Sequence, residues 1–246
     1  MSDKQQAFDV PPQLRRGGSR GKAEKYVEEG RDLLAYMSDT LGLPDLGTSD
    51  VLDVGCGTKF TEAILKYGIV IGSYTGIDVY KPMIDHLGQT TNDPRFTFHH
   101  MNTHNEMYNP EGETLGPDIQ LPVGDQQFDI ICLYSVFTHL APHDYANMLH
   151  VLRPYIREGG KLIFSLFVDE RSGTGYGLLE DIVGDASGDW QPSGQPFRDA
   201  YPGKPLQWAL YSREHAFELI EGTGWKVEDL LMPNAYVQHH FVCTPA

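Results

Sequence analysis

The sequence is poor in cysteine and in positive charge, and it has no long hydrophobic run. Its three cysteines, Cys56, Cys132 and Cys243, are an odd number without the paired spacing of a disulfide framework or of a thiolate metal site. No stretch approaches the roughly 18 consecutive apolar residues of a membrane helix. The first residues carry no apolar targeting segment. We therefore expect a cytoplasmic protein that does not span a membrane.

Positive charge is scarce because 19 lysines and arginines stand against 34 aspartates and glutamates, which gives a formal net charge of -15. Such a surface repels the phosphates of nucleic acids and of anionic lipids. Nucleic acids and membranes are therefore not expected partners, and a small molecule is the expected substrate. Composition leaves a homodimer open.

Apolar runs and helical periodicities alternate along the chain, which indicates an α/β protein. The run at residues 128–134 is nearly continuous, as in a strand that is buried on both faces of a parallel sheet. We expect a mostly parallel sheet with helices on both faces. The predicted strands are 51–54, 73–78, 95–101, 128–134, 160–168, 225–231 and 236–243, and the predicted helices are 22–41, 60–67, 81–87, 145–152 and one that Ser212 caps.

Two segments fall outside this alternation. Residues 1–21 contain paired prolines, paired glycines and three arginines, and we expect a flexible arm without regular structure. Residues 22–246 form the main domain. Within it, residues 169–211 lack periodicity but remain rich in aromatic side chains, so they are predicted to be an inserted lid or substrate-binding segment. The alternative is that these aromatic residues form the core of an added subdomain.

A glycine turn and an acidic residue follow the first two predicted strands. Asp53-Val-Gly-Cys-Gly-Thr58 stands where a strand turns into a helix, and glycine there permits a positive φ and the close approach of a ligand to the backbone. Gly76-Ile-Asp78 ends the next strand with a carboxylate that can hold both hydroxyls of a ribose. Together the two segments predict a ligand that contains adenosine.

The glycine turn does not suit a dinucleotide. A dinucleotide site requires a third glycine in G-x-G-x-x-G, whereas Thr58, Lys59 and Phe60 follow Gly57 here. Asp53 would also place a negative charge where a phosphate should lie. The same carboxylate suits the ammonium group of a methionine moiety.

These motifs carry a family resemblance. Val51-Leu-Asp-Val-Gly-Cys-Gly57 and Gly76-Ile-Asp78 resemble the first two motifs of the class I S-adenosylmethionine-dependent methyltransferases. Phe128-Asp-Ile-Ile-Cys-Leu133 resembles the fourth strand of that family, and residues 152–162 resemble the loop that enters its fifth strand. The resemblance is strong over residues 22–168.

Two further segments narrow the resemblance, and one position departs from it. Ser135-Val-Phe-Thr-His-Leu140 and Tyr108-Asn-Pro-Glu-Gly112 resemble a branch of the family that acts on small molecules. Lys59 stands where members often have a third glycine. The resemblance implies a Rossmann-like, doubly wound, mostly parallel sheet of seven strands with an antiparallel last strand. It also implies in-line transfer of a methyl group from S-adenosylmethionine to a small-molecule acceptor.

The resemblance also implies which residues bind the cofactor. Asp53 would lie near the amino group of the methionine moiety, and Asp78 would bind the ribose. Asn102 replaces a commoner aspartate, but its amide can still hydrogen-bond the exocyclic amine of adenine. The other implied positions are Gly55, Cys56 and Gly57 along the methionine moiety, Val79 and Thr103 at the adenine, and Tyr134 and Ser135 at the sulfonium and the incoming acceptor.

Methyl transfer gains much of its rate from holding the nucleophile in line with the methyl group. A base is needed only if the acceptor must lose a proton. His139 closely follows the fourth predicted strand and is the candidate base, with packing at the start of the next helix as the alternative. Tyr176, in the aromatic segment, is the first candidate to contact the sulfonium.

The ten histidines do not predict a metal site. Adjacent histidines on a strand, as in the pairs at residues 99–100 and 239–240, point to opposite faces and offer one ligand each to a single site. Pro142 is expected to start a helix between His139 and His143, so these two do not share a helical face. No metal is therefore expected.

Three other functions stay open. The sulfonium could be attacked by the amine of the cofactor itself, which would make the protein a cyclase or lyase that releases methylthioadenosine. A non-catalytic regulatory protein would bind the cofactor without turnover. A nicotinamide-dependent reductase is disfavoured by Asp53 and by the missing glycine. The arginines of the arm, Arg15 and Arg16, are predicted to be solvated, with closure over the carboxylate of the cofactor as the alternative.

Overall fold

The computed structural model describes residues 8–170, 193–233 and 238–246. The chain divides into two compact units, which comprise residues 1–101 and 102–246. Across the described ranges, the helices are all too short or too polar to cross a bilayer. The fold is mixed α/β and Rossmann-like, as predicted, with mostly parallel strands and antiparallel strands near the C-terminus.

The first unit is a parallel three-stranded arrangement with three helices. Its strands are β1 (Leu46–Val54), β2 (Ile71–Asp78) and β3 (Phe96–His100), and its helices are α1 (Ala23–Thr40), α2 (Lys59–Tyr67) and α3 (Lys81–Thr90). Strand β2 pairs with β1 on one side and with β3 on the other. Because parallel strands end at the same edge, the turn after β1 and the last residue of β2 lie side by side.

Helices α1 and α2 approach each other closely at Gly30. A Cβ atom at Gly30 of α1 would lie 2.7 Å from the carbonyl oxygen of Lys59, so only glycine fits there. Phe60 and Ile64 bury their side chains on the inner face of α2. The helix ends at Gly68, whose φ of 63° is left-handed, as in many glycine C-caps.

The second unit contains six strands and two α-helices within the described residues. They are β4 (Phe128–Leu133), α4 (Pro142–Leu152), β5 (Ile156–Val168), β6 (Phe197–Asp199), β7 (Ala209–Tyr211), α5 (Arg213–Glu218), β8 (Trp225–Leu231) and β9 (His239–Pro245). Strand β5 is parallel to β4, and β9 lies antiparallel between β5 and β8. The last two residues of β5, Phe167 and Val168, pair in parallel with β7.

Most of the predicted elements are confirmed. Strand β8 has the predicted bounds, and the Oγ of Ser212 accepts a hydrogen bond from the backbone N–H of His215 at 3.1 Å, which caps α5. Strand β1 begins at Leu46 rather than at residue 51. The described residues hold nine strands, and the two that sequence reasoning missed are β6 and β7. Strands of three residues are too short to produce a period.

The described part of the N-terminal arm is docked on the first unit. It contains a 3-10 helical turn at Pro12–Leu14, and the side chains of Val10 and Leu14 are buried. The paired prolines and glycines led us to expect no regular structure here, and two apolar residues four apart are too few to show periodicity. The guanidinium of Arg15 donates two hydrogen bonds to the Glu62 carboxylate, from Nε at 3.0 Å and from Nη2 at 2.7 Å. Both side chains of this pair are buried.

The Arg15–Glu62 pair should hold the arm in place. Replacing Glu62 by glutamine leaves the buried guanidinium without a counter-charge, a change that costs about 3 kcal/mol in buried pairs. We expect the arm of Glu62→Gln to detach, since this returns Arg15 to water, and trypsin to cleave faster after Arg15, Arg16 or Arg20. Asp32→Asn removes an exposed partner of Arg31 and is the control. Equal cleavage rates in the two variants would show that the pair does not retain the arm.

Candidate functional site

The turn after β1 has the backbone conformation that its glycines permit. Gly55 and Gly57 have φ values of 72° and 51°, which other residues rarely adopt. The backbone N–H groups of Gly55 and Cys56 both donate to the carbonyl oxygen of Ile77, at 2.8 and 3.1 Å. The turn is therefore tied directly to β2.

Cys56 contributes packing to this turn. Its thiol lies against Gly76, where a Cβ atom would come within 2.9 Å of the sulfur. Burial raises the pKa of the Cys56 thiol well above its ordinary value, and the charges of Asp78 and Asp53 raise it further. The thiol is therefore neutral at pH 7, and it packs inside the turn.

Asp78 is held by two backbone N–H groups. Its Oδ2 accepts from Gly57 at 3.1 Å, and its Oδ1 accepts from Tyr80 at 2.9 Å. Burial raises the pKa of Asp78, while the two N–H groups and the positive charge of Arg16 act in the opposite direction. Each carboxylate oxygen can accept a further hydrogen bond, so the group is oriented and still able to bind a diol.

Asp53 is buried and oriented by a residue that sequence reasoning missed. The hydroxyl of Tyr74, itself buried in β2, donates to Oδ2 of Asp53 at 2.6 Å. A signal for this role existed in the sequence, because a tyrosine in a buried strand needs a partner for its hydroxyl. The structure thus assembles the predicted residues of the first unit, Asp53, Gly55, Cys56, Gly57, Asp78 and Val79, on two adjoining strand ends.

In the second unit, Asn102 and Thr103 begin a loop that Asn109 holds together. The Nδ2 of Asn109 donates to the carbonyl oxygen of Thr103 at 3.0 Å and to Oδ1 of Asn102 at 3.1 Å. Since a backbone carbonyl can only accept, this contact fixes both amides, and the exposed Asn102 presents its amide nitrogen as a donor. Gly112 closes the loop, because a Cβ atom there would lie 2.4 Å from the carbonyl of Thr103.

Ser135, directly after Tyr134 at the end of β4, is the one non-glycine residue with a positive φ, 59°, in the described part of the chain. Its N–H donates to Oγ of Ser165 at 2.7 Å, and the Ser165 hydroxyl donates to Oε1 of Gln238 at 2.5 Å. The Nε2 of Gln238 donates back to Oγ of Ser135 at 3.0 Å, which closes a ring. Such backbone strain persists where the surroundings enforce it, often at functional sites.

His139 ends a 3-10 turn that follows β4. Its Nδ1 lies 3.3 Å from the carbonyl oxygen of Leu206. Because that oxygen only accepts, Nδ1 carries the proton and Nε2 keeps its lone pair in the neutral ring. Burial lowers the pKa of His139 below its ordinary value of 6.5. The ring is therefore neutral at pH 7, in the form that a base requires.

The remaining predictions concern Tyr176, a metal site and Pro142. Tyr176 lies outside the described residues. Within the described ranges, His, Cys, Asp and Glu side chains form no group of three or more that could hold a metal ion. Pro142 is the first residue of α4, as expected from the sequence. Ser165 and Gln238 had no sequence signal, since they lie 30 and 103 residues from Ser135.

Comparison with known proteins identifies similar sequences and folds. The profile of a family described as methyltransferase domain matches residues 23–229. A protein from Pyrococcus horikoshii OT3 superposes with a TM-score of 0.56 at 14% identity, covering 96% of this chain and 97% of its own. The glycopeptide N-methyltransferase MtfA, complexed with S-adenosyl-L-homocysteine, superposes at 0.55 with 13% identity, covering 88% and 90%. The mitomycin 7-O-methyltransferase MmcR gives 0.54 at 13%, covering 93% and 56%.

The hydrogen bond from Tyr74 to Asp53 should be measurable as stability. Tyr74→Phe removes the hydroxyl and leaves a buried carboxylate oxygen short of a donor, which costs about 1–3 kcal/mol. We expect the free energy of unfolding in urea to fall by that amount. Tyr67→Phe, at an exposed position, is the control and should leave it unchanged. If both variants unfold alike, the tyrosine does not stabilise Asp53.

Proposed function

This chain belongs to the methyltransferase-domain family, and we propose on that basis that it transfers the methyl group of S-adenosylmethionine to a small-molecule acceptor. One observation carries the proposal. The glycine turn after β1 and the carboxylate that ends β2 are joined by the hydrogen bond from Gly57 to Asp78. The bare backbone suits the methionine moiety of an aminoacyl-adenosine, and the oriented carboxylate beside it suits the ribose.

The first unit would hold the cofactor through charge and backbone. The Asp78 carboxylate could accept hydrogen bonds from both ribose hydroxyls. Val79, the next residue, would contact the adenine. Asp53, oriented by Tyr74, suits a positively charged amino group. The glycine residues at 55 and 57 have no side chains, so the methionine moiety can lie against the backbone of the turn.

Residues of the second unit would complete the recognition and face the acceptor. Asn102 would contact the adenine edge through its amide nitrogen, with Thr103 beside it. Tyr134 and Ser135 would border the reacting groups at the end of β4. Tyr176 stays a prediction for the sulfonium.

The net charge of the chain and the names of two structural neighbours favour a small-molecule acceptor. The formal net charge of -15 disfavours a polyanionic substrate such as nucleic acid. MtfA and MmcR, which share the fold, carry names that describe methylation of a glycopeptide and of mitomycin. We propose that the acceptor is a molecule of the size of a secondary metabolite and not a polymer.

His139 would act as the base when the acceptor is a hydroxyl or a protonated amine. Bound S-adenosylmethionine would supply a methyl group on a positively charged sulfur. The Nε2 of His139 takes the proton that the nucleophile must lose, and it later releases that proton to water. The Leu206 carbonyl stabilises the required tautomer by accepting from Nδ1–H.

Binding of S-adenosylhomocysteine tests the proposal directly. We expect wild-type protein to bind it in a calorimetric titration and Asp78→Ala to bind at least about tenfold more weakly, a loss of about 1.4 kcal/mol. Asp85→Ala changes an exposed carboxylate that pairs with Lys81 and should bind normally. Affinity for a nicotinamide nucleotide instead, or release of methylthioadenosine from cofactor alone, would contradict methyl transfer.

The role of His139 is testable once a screen with radiolabelled methyl donor finds an acceptor. We expect His139→Ala to slow turnover by about a hundredfold, the typical contribution of a general base. In wild type the rate should fall with acid only as pH drops through the lowered pKa of His139, below 6.5, because the neutral ring is the active form. The exposed His150 supplies the control variant, His150→Ala. Full activity of His139→Ala would remove it from the mechanism.

A further inference from the structure

We propose that Arg16 of the N-terminal arm forms part of the adenosine-binding end of the cofactor site. The proposal rests on the proposed function, since it concerns the same cofactor. It assigns to the arm a ligand-binding role, with Arg16 acting at the ribose and adenine rather than at the amino-acid end.

The arm is fixed in position immediately before Arg16. The Arg15 guanidinium forms its paired hydrogen bonds with Glu62, and the hydroxyl of Thr58 donates to the same carboxylate at 2.8 Å. Thr58 belongs to the glycine turn segment, and Glu62 lies on the first turn of α2. The arm is therefore anchored next to the turn that would bind the cofactor.

The Arg16 guanidinium is itself oriented. Its Nη1 donates to the backbone carbonyls of Gln13 at 2.8 Å and of Arg15 at 3.1 Å. Its carbon Cζ lies 4.2 Å from the centroid of the Tyr80 ring, which is the distance of a cation stacked on an aromatic face. The planar group thus lies over Tyr80 in a defined orientation.

Tyr80 connects this stack to Asp78. The backbone N–H of Tyr80 donates to Oδ1 of Asp78, so the stacked ring belongs to the residue that holds the carboxylate. The positive charge of Arg16 also lowers the pKa of Asp78 against the effect of burial. An ionised carboxylate accepts hydrogen bonds from both hydroxyls of a ribose, so Arg16 favours the form of Asp78 that binds adenosine.

Neighbouring arginines of the arm differ in a way that supplies a control. Arg15 is buried in its pair with Glu62, whereas Arg20 is exposed, with its Nη1 3.5 Å from the carbonyl oxygen of Gly17. Arg20→Ala removes the same charge from the same segment without touching Tyr80 or Asp78. Arg16→Lys keeps the charge but loses the planar group that stacks.

The experiment compares two ligands by calorimetry, S-adenosylhomocysteine and methylthioadenosine, which lacks the amino-acid group. We expect Arg16→Ala to weaken both by the same factor, about tenfold, because the shared adenosine is what Arg16 serves. Arg16→Lys should give an intermediate loss, and Arg20→Ala should match wild type. Tyr80→Leu, which removes the stacking surface but not the N–H, should weaken both ligands in the same way.

Thermal unfolding midpoints near that of Arg20→Ala would show that the variants are folded. Unchanged affinity of folded Arg16→Ala and Tyr80→Leu for both ligands would overturn the proposal. A loss confined to S-adenosylhomocysteine would also overturn it, because Arg16 would then act at the amino-acid end. Failure of wild-type protein to bind either ligand would instead refute the proposed function.

Discussion

The hydrogen bond from the Gly57 N–H to the Asp78 carboxylate joins two strand ends of the first unit. It exists because β1 and β2 are parallel neighbours in register, with Asp53 opposite Gly76. Two backbone N–H groups also bind Ile77, so the turn cannot move away from β2 without breaking several bonds at once. A ligand bound at this edge would meet an oriented acid and bare backbone that are already in place, which would reduce the ordering cost of binding.

Buried polar groups also orient residues at strand ends within each unit. The Tyr74 hydroxyl serves Asp53, and Ser165 with Gln238 holds Ser135 in a left-handed conformation. An unpaired polar group in these positions would carry a desolvation cost of about 1–3 kcal/mol. The buried segments therefore also orient residues at strand ends. The side chains that do so come from β2, from β5 and from the residue before β9.

The N-terminal arm shows how a segment without periodicity acquires structure. Two buried apolar side chains, a buried ion pair and the stack of Arg16 on Tyr80 contribute to holding it, and these contacts form no local pattern along the chain. Arg15 and Arg16, adjacent in sequence, consequently have different surroundings: one faces the Glu62 carboxylate and the other the Tyr80 ring. Their surroundings differ because the arm lies on different elements at the two positions, since both residues are arginines.

The sequence alone determined the α/β class, the type and approximate position of most long elements, and the pairing of a glycine turn with Asp78. These features are local or repeat with a fixed period, so single segments reveal them. Tertiary structure decided the short strands β6 and β7, the docking of the arm, the tautomer of His139 and the partners of Asp53 and Ser135. Those depend on groups far apart in the chain, such as Gln238 and Ser135, that only folding brings within hydrogen-bond distance.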